Sequence, residues 1–72
     1  MWKMVIKQVN TGRVWEESIT MLDKNYRSKP IPKRTKREQA MLKAEEIISY
    51  FNSTLRSGES PRELIGISFV EA

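Results

Sequence analysis

The strongest constraint on this chain is a pair of β-rich runs, residues 2–9 and 14–21, separated by Asn10-Thr11-Gly12. Trp, Val and Ile crowd both runs and the segment between them has turn chemistry, which predicts an antiparallel hairpin. A two-residue loop at Thr11-Gly12, or a four-residue loop over residues 10–13, gives cross-strand partners whose numbers sum to 23. Met4 then faces Ile19, Trp2 faces Met21 and Gln8 faces Trp15, so the large apolar groups collect on one side. Lys7 with Glu16 and Val9 with Val14 fall on the other. A sum of 22 would set Lys3 against Ile19 and Lys7 against Trp15, mixing charge into the buried layer. In the favoured register Glu17 points to the apolar side opposite Ile6, so it must sit at an edge, reach the basic loop over 23–34, or mark a register error.

A lone hairpin is marginal in water, and the rest of the chain supplies what it lacks. Residues 23–34 show no period, and Pro30 and Pro32 remove two backbone donors, so this stretch reads as a loop. Thr35 and Glu38 have capping-box spacing, predicting a helix over 35–57 with Ala40, Ala44, Ile47, Phe51 and Leu55 as its apolar stripe, flanked by Met41 and Ile48. Gly58 suits the left-handed residue that ends a helix. Ser60-Pro61-Arg62-Glu63 repeats the capping pattern and predicts a short helical turn over 60–65. Residues 66–71 alternate, with Ile67 and Phe69 on one side, and read as a third strand. The expected fold is α+β, in the order β-β-α-β: a single domain over residues 1–72, with a small, mainly antiparallel three-stranded sheet and one helix packed on one face. The first strand, being the richest in apolar residues, is expected at the centre, and Trp2 and Trp15 are expected in the core.

At 72 residues with 39% hydrophobic content, the chain can form one small core. It has no Cys and no His, which removes disulfides, thiolate and imidazole metal ligands, and the commonest general base near neutral pH. Glu16-Glu17 and Glu45-Glu46 are adjacent carboxylates, and neighbours diverge on a strand or a helix, so neither pair converges on one ion. No phosphate-cradling loop or dinucleotide fingerprint is present among three glycines. The chain is therefore expected to be non-enzymatic and without cofactor or metal. Lys3 and Lys7 interrupt the first apolar run, and no run reaches the roughly 18 residues of a membrane span, so a cytoplasmic location without membrane contact is expected. The Asn52-Ser53-Thr54 sequon is read as chance.

Charge is the one feature that points outward. Lys24, Arg27, Lys29, Lys33, Arg34, Lys36 and Arg37 place seven cations in fourteen residues without a carboxylate among them, leaving −3 for the rest of a +4 chain. With Tyr26 available for stacking, these eight residues form a candidate contact for a phosphate backbone or for an acidic protein, nucleic acid being preferred. Lys36 and Arg37 at a helix start oppose the helix dipole, at a cost of about 0.3–1 kcal/mol, and that cost argues for another use of the charge. The competing expectation is a solvated, self-repelling connection with no ligand. Two unpaired sheet edges also offer a route to a homo-oligomer.

Met1-Trp2, the Asn10-Thr11-Gly12 turn, Phe51-Asn52 and the stretch from Gly58 through Glu59-Ser60-Pro61-Arg62-Glu63 to Leu64 together resemble the small accessory proteins encoded by bacteriophages. The β-β-α-β layout also resembles phage proteins that inhibit host RNA polymerase, an analogy of architecture alone. The resemblance implies action in the host cytoplasm. There such a viral protein would bind nucleic acid, or would regulate or inhibit a host protein through a sheet face or an edge strand.

Overall fold

A computed structural model describes residues 1–71. Five strands and one helix follow one another as β1 (Trp2–Gln8), β2 (Val14–Ser18), β3 (Thr20–Leu22), β4 (Ser28–Pro30), α1 (Arg37–Ser53) and β5 (Arg62–Phe69). The fold is α+β: β2-β1-β5 form an antiparallel three-stranded sheet with β1 at its centre, β3 and β4 form a separate ribbon, and α1 packs on the sheet.

The first hairpin forms with a register different from the expected one. Met4 pairs with Glu17 and Ile6 with Trp15, so partner numbers sum to 21. The loop is residues 9–12: the Gln8 amide donates to the Arg13 carbonyl at 2.8 Å and the Gly12 amide to the Gln8 carbonyl at 2.8 Å, with Gly12 at φ +76°. Because the slip is two residues, strand parity survives, and Trp15 and Glu17 still share a face with Met4 and Ile6. The expected second strand, 14–21, breaks at Ile19. That residue's amide donates to the Trp2 carbonyl at 3.0 Å while its carbonyl accepts from Ile31 at 3.0 Å, so the chain leaves one sheet and enters the other there.

The segment read as a loop over 23–34 is partly a hairpin. Thr20, Met21 and Leu22 pair with Pro30, Lys29 and Ser28. Ile31 follows at 7% exposure, inside the core with Trp2, Met4, Ile6, Ile19, Ala40, Ala44, Ile48 and Ile67. Its burial contributes about 1.5–3 kcal/mol and ties the cationic segment to the body of the protein.

The helix spans 37–53 instead of 35–57. Lys36 is the N-cap, extended at φ −67° and ψ 146°, with no side-chain cap bond, so the expected Thr35–Glu38 box does not form. Thr35 instead closes a turn, its amide donating to Pro32 at 3.0 Å. At the other end Thr54 is the C-cap, its hydroxyl donating to the Tyr50 carbonyl at 3.1 Å. Gly58, at φ +88°, serves a separate turn in which Glu59 donates to the Arg56 carbonyl at 3.0 Å. The buried stripe is Ala40, Ala44 and Ile48, whose four-residue step and small side chains bring the helix close to the sheet; Met41, Ile47 and Phe51 flank it half-buried.

The predicted helical turn over 60–65 does not form: residues 62–65 are strand, and the last strand runs over Arg62–Phe69 instead of 66–71. The β1 ladder reaches Arg62, which pairs with Gln8, and Asn52 of α1 binds the same residue: its side-chain amide donates to the Arg62 carbonyl and its oxygen accepts from the Arg62 amide, both at 2.8 Å. Pairing with β1 shifts at one point: Val5 meets Gly66 but Ile6 meets Leu64, which leaves Ile65 as a bulge. The bulge reverses parity, so Arg62 and Leu64 join Ile67 and Phe69 on the helix-facing side. Trp2 packs edge-on against Phe69 at 5.2 Å between centroids. Its indole nitrogen is buried without a hydrogen-bond partner among the described residues.

Candidate functional site

The eight residues singled out by charge lie in succession along three ordered pieces: the β3–β4 hairpin, the turn over 32–35, and the start of α1. Lys24 and Tyr26 occupy the hairpin tip, Arg27 and Lys29 the strand leading away from it, Lys33 and Arg34 the corners of the turn, and Lys36 and Arg37 the helix start. All eight are exposed. Among the described residues none of the seven cations forms an ion pair; the two ion pairs are Lys43–Glu46 at 3.8 Å and Arg62–Glu17 at 3.2 Å.

Asp23, at the base of the tip, is absorbed by the backbone. Its Oδ1 accepts from the Asn25 amide at 2.8 Å and the Arg27 amide at 2.9 Å. The Arg27 amide is the main reason its carboxyl is held below the ordinary aspartate range; desolvation opposes it, and the Asn25 amide and the Lys29 charge add smaller effects in the same direction as Arg27. That carboxylate builds the turn while keeping its charge; it and Glu38, in the first turn of α1, adjoin the segment in sequence, and the seven cations outnumber the two.

A second cationic feature lies at the other end of α1, about 25 Å away for a helix of 17 residues. Arg62 projects from β5 between two rings, its guanidinium carbon 3.8 Å from the Phe51 centroid and 5.1 Å from that of Trp15. Glu17 Oε2 accepts from both Arg62 Nη1 at 3.2 Å and Trp15 Nε1 at 2.8 Å. Arg13 lies 5.6 Å from the same indole centroid. Arg13, Trp15, Phe51 and Arg62 border a cleft of about 540 Å³, with Gln8, Gly58, Glu59 and Ser60 completing it. Sequence reasoning missed this cluster. The signal available was Glu17, a carboxylate on an apolar face; its partner is Arg62 and not the basic segment. Arg13 and Arg62 are matched by Glu17 and Glu59 in and around the cleft, so it offers little net charge to a ligand and serves chiefly to lock β2, β5 and the end of α1 together.

No protein-family model, no curated protein and no solved structure matches the chain. No helix among the described residues is long and apolar enough to cross a membrane.

Proposed function

We propose that this protein is a small non-enzymatic binding module that docks its basic segment on nucleic acid. Its cations act as phosphate contacts that release counterions on binding. The observation that carries the reading is the segment's seven exposed cations without an ion-pair partner among the described residues, mounted on a hairpin, a turn and a helix start. The helix start adds its own attraction for anions, since Lys36 caps it without consuming its free amides. A bacteriophage-type accessory protein working in the host cytoplasm is the setting in which this reading fits.

The test is a polarisation titration with labelled oligonucleotides over a salt series. Five phosphate contacts predict a slope of about −4.5 in log affinity against log salt on duplex DNA, and Lys33→Ala, Arg34→Ala and Arg37→Ala together should flatten it by about 2.7. A wild-type protein that shows no salt-dependent binding would end the proposal.

The second reading, a regulator that docks on a host protein, draws on one observation. A groove of about 380 Å³ between the β3–β4 ribbon and α1 is lined by Met21, Leu22, Ile47 and Tyr50, with Leu22 61% and Tyr50 72% exposed. One stoichiometric protein partner recovered from lysate, with no oligonucleotide binding, would favour it.

A further inference from the structure

The tip of the β3–β4 hairpin holds an aromatic ring where the backbone favours glycine. Residues 23–27 join the two strands, with 24–26 at the tip. The Tyr26 amide donates to the Asp23 carbonyl at 3.0 Å, and the Asp23 amide to the Arg27 carbonyl at 2.9 Å. This is a turn followed by one left-handed bulge residue, and the bulge residue is Tyr26, at φ +60°. Three described residues have positive φ; the other two are Gly12 and Gly58. For a side chain with a Cβ, this conformation crowds the following carbonyl oxygen, and a bulky ring there is uncommon.

The turn is held by the Asp23 carboxylate and by backbone bonds, and the Tyr26 side chain takes no part in holding it among the described residues. The ring is 85% exposed, and among the described residues it makes no hydrogen bond, aromatic pair or cation–π contact. Its setting is rigid all the same, because Asp23 pins the turn through two backbone amides. Lys24 and Arg27 flank it in sequence. A strained, ordered, solvent-facing ring between two cations matches a ligand with a flat π-surface joined to a negative charge, which describes an unstacked nucleobase on its phosphate. Inside a duplex the faces of the bases are covered by their neighbours; in single strands and loops they are open.

We propose that Tyr26 is a base-stacking platform and that the hairpin tip makes the protein select single-stranded or looped nucleic acid over duplex. The inference rests on the reading of the basic segment as a phosphate contact.

The experiment compares wild type with Tyr26→Phe, Tyr26→Ala and Tyr26→Gly by fluorescence polarisation. The probes are single-stranded DNA, single-stranded RNA and a duplex of equal length. Wild type should prefer one or both single strands. Tyr26→Phe should stay within about twofold of it, while Tyr26→Ala and Tyr26→Gly should lose about 5- to 150-fold on single strands and change duplex affinity by less than about twofold. Tyr26→Gly should melt no lower than wild type and up to roughly 4 °C higher, since glycine relieves the backbone strain, so its lost affinity cannot be unfolding. Single-strand affinity that survives both truncations, or falls equally with duplex affinity, would overturn the stacking role. Failure of wild type to bind any probe would overturn the parent proposal instead, and the two failures are distinct.

Discussion

Two cationic regions sit at opposite ends of α1 and use the same charge in opposite ways. Arg62 is enclosed: its side chain is 29% exposed, its guanidinium lies against both Phe51 and Trp15, and it donates a hydrogen bond from Nη1 to Glu17 Oε2 at 3.2 Å. The segment from Lys24 to Arg37 is open, each of its cations exposed and none ion-paired among the described residues. An arginine that stacks and pairs gives its interaction energy to the fold, and what remains for a partner is small. A cation on an exposed turn contributes almost nothing to the fold, and its field remains available. Charge count alone cannot separate the two; the neighbours of each guanidinium or ammonium group do.

The comparison breaks most readily at Arg62. Replacing it with Ala removes two ring contacts, leaves Glu17 only its bond from Trp15 and opens the cleft, with an expected loss of about 2 kcal/mol and a fall in melting temperature of roughly 8–16 °C. Arg62→Lys should recover little, because an ammonium cannot stack as a plane. Neither variant should alter oligonucleotide affinity per folded molecule, and a Tm unchanged in Arg62→Ala would show the cluster to be incidental. The triple substitution at Lys33, Arg34 and Arg37 should do the reverse, lowering affinity while leaving stability within about 0.5 kcal/mol.

A smaller effect, of opposite sign for the two properties, is expected at Lys36. Lys36→Asp supplies the missing cap and a charge that suits the helix dipole, so urea unfolding should show a gain of about 1 kcal/mol while binding weakens. A loss of stability would mean that the N-cap lysine makes a contribution the geometry does not reveal.

The smallest effect is expected at Asp23, whose carboxyl is held below its ordinary range, so that its ionised form favours the folded turn. That contribution is complete above the unfolded value, about 3.9, and is lost as pH falls through the lower folded one. Amide exchange or NMR shifts at Asn25 and Arg27 should therefore report the tip loosening in acid. In Asp23→Asn the acid-dependent part should vanish.

Local chemistry made much of this fold legible. Two β-rich runs around Asn10-Thr11-Gly12 announced a hairpin, and the Ala40, Ala44, Ile47, Phe51, Leu55 spacing announced a helix with one apolar side, although Ile48, expected only to flank it, is the residue buried with Ala40 and Ala44. The apolar weight of the first run placed it at the sheet centre. Ile31 was not legible, because a single aliphatic residue between two prolines in a polar stretch has no period to betray it; its burial follows from the backbone bond to Ile19, a contact between distant residues. Ser60-Pro61-Arg62-Glu63 carried a helix-start pattern, yet Asn52 and β1 offered the same backbone a complete ladder, and tertiary pairing overrode the local signal. The cationic stretch was readable as charge, whereas its left-handed Tyr26 and its freedom from ion pairs were not.

What the amino-acid order settled by itself is local and periodic: which runs extend, which run coils, which side of each is greasy, and where positive charge accumulates. What only the folded chain decided is parity and company. The Ile65 bulge adds one residue to one strand, and because side chains alternate at every step, that residue turns Arg62 from the solvent face to the space beneath Phe51 and Trp15. Strand alternation is a local rule, but where it is interrupted depends on the partner strand, and so does whether an arginine stacks against the helix-side rings or points to solvent.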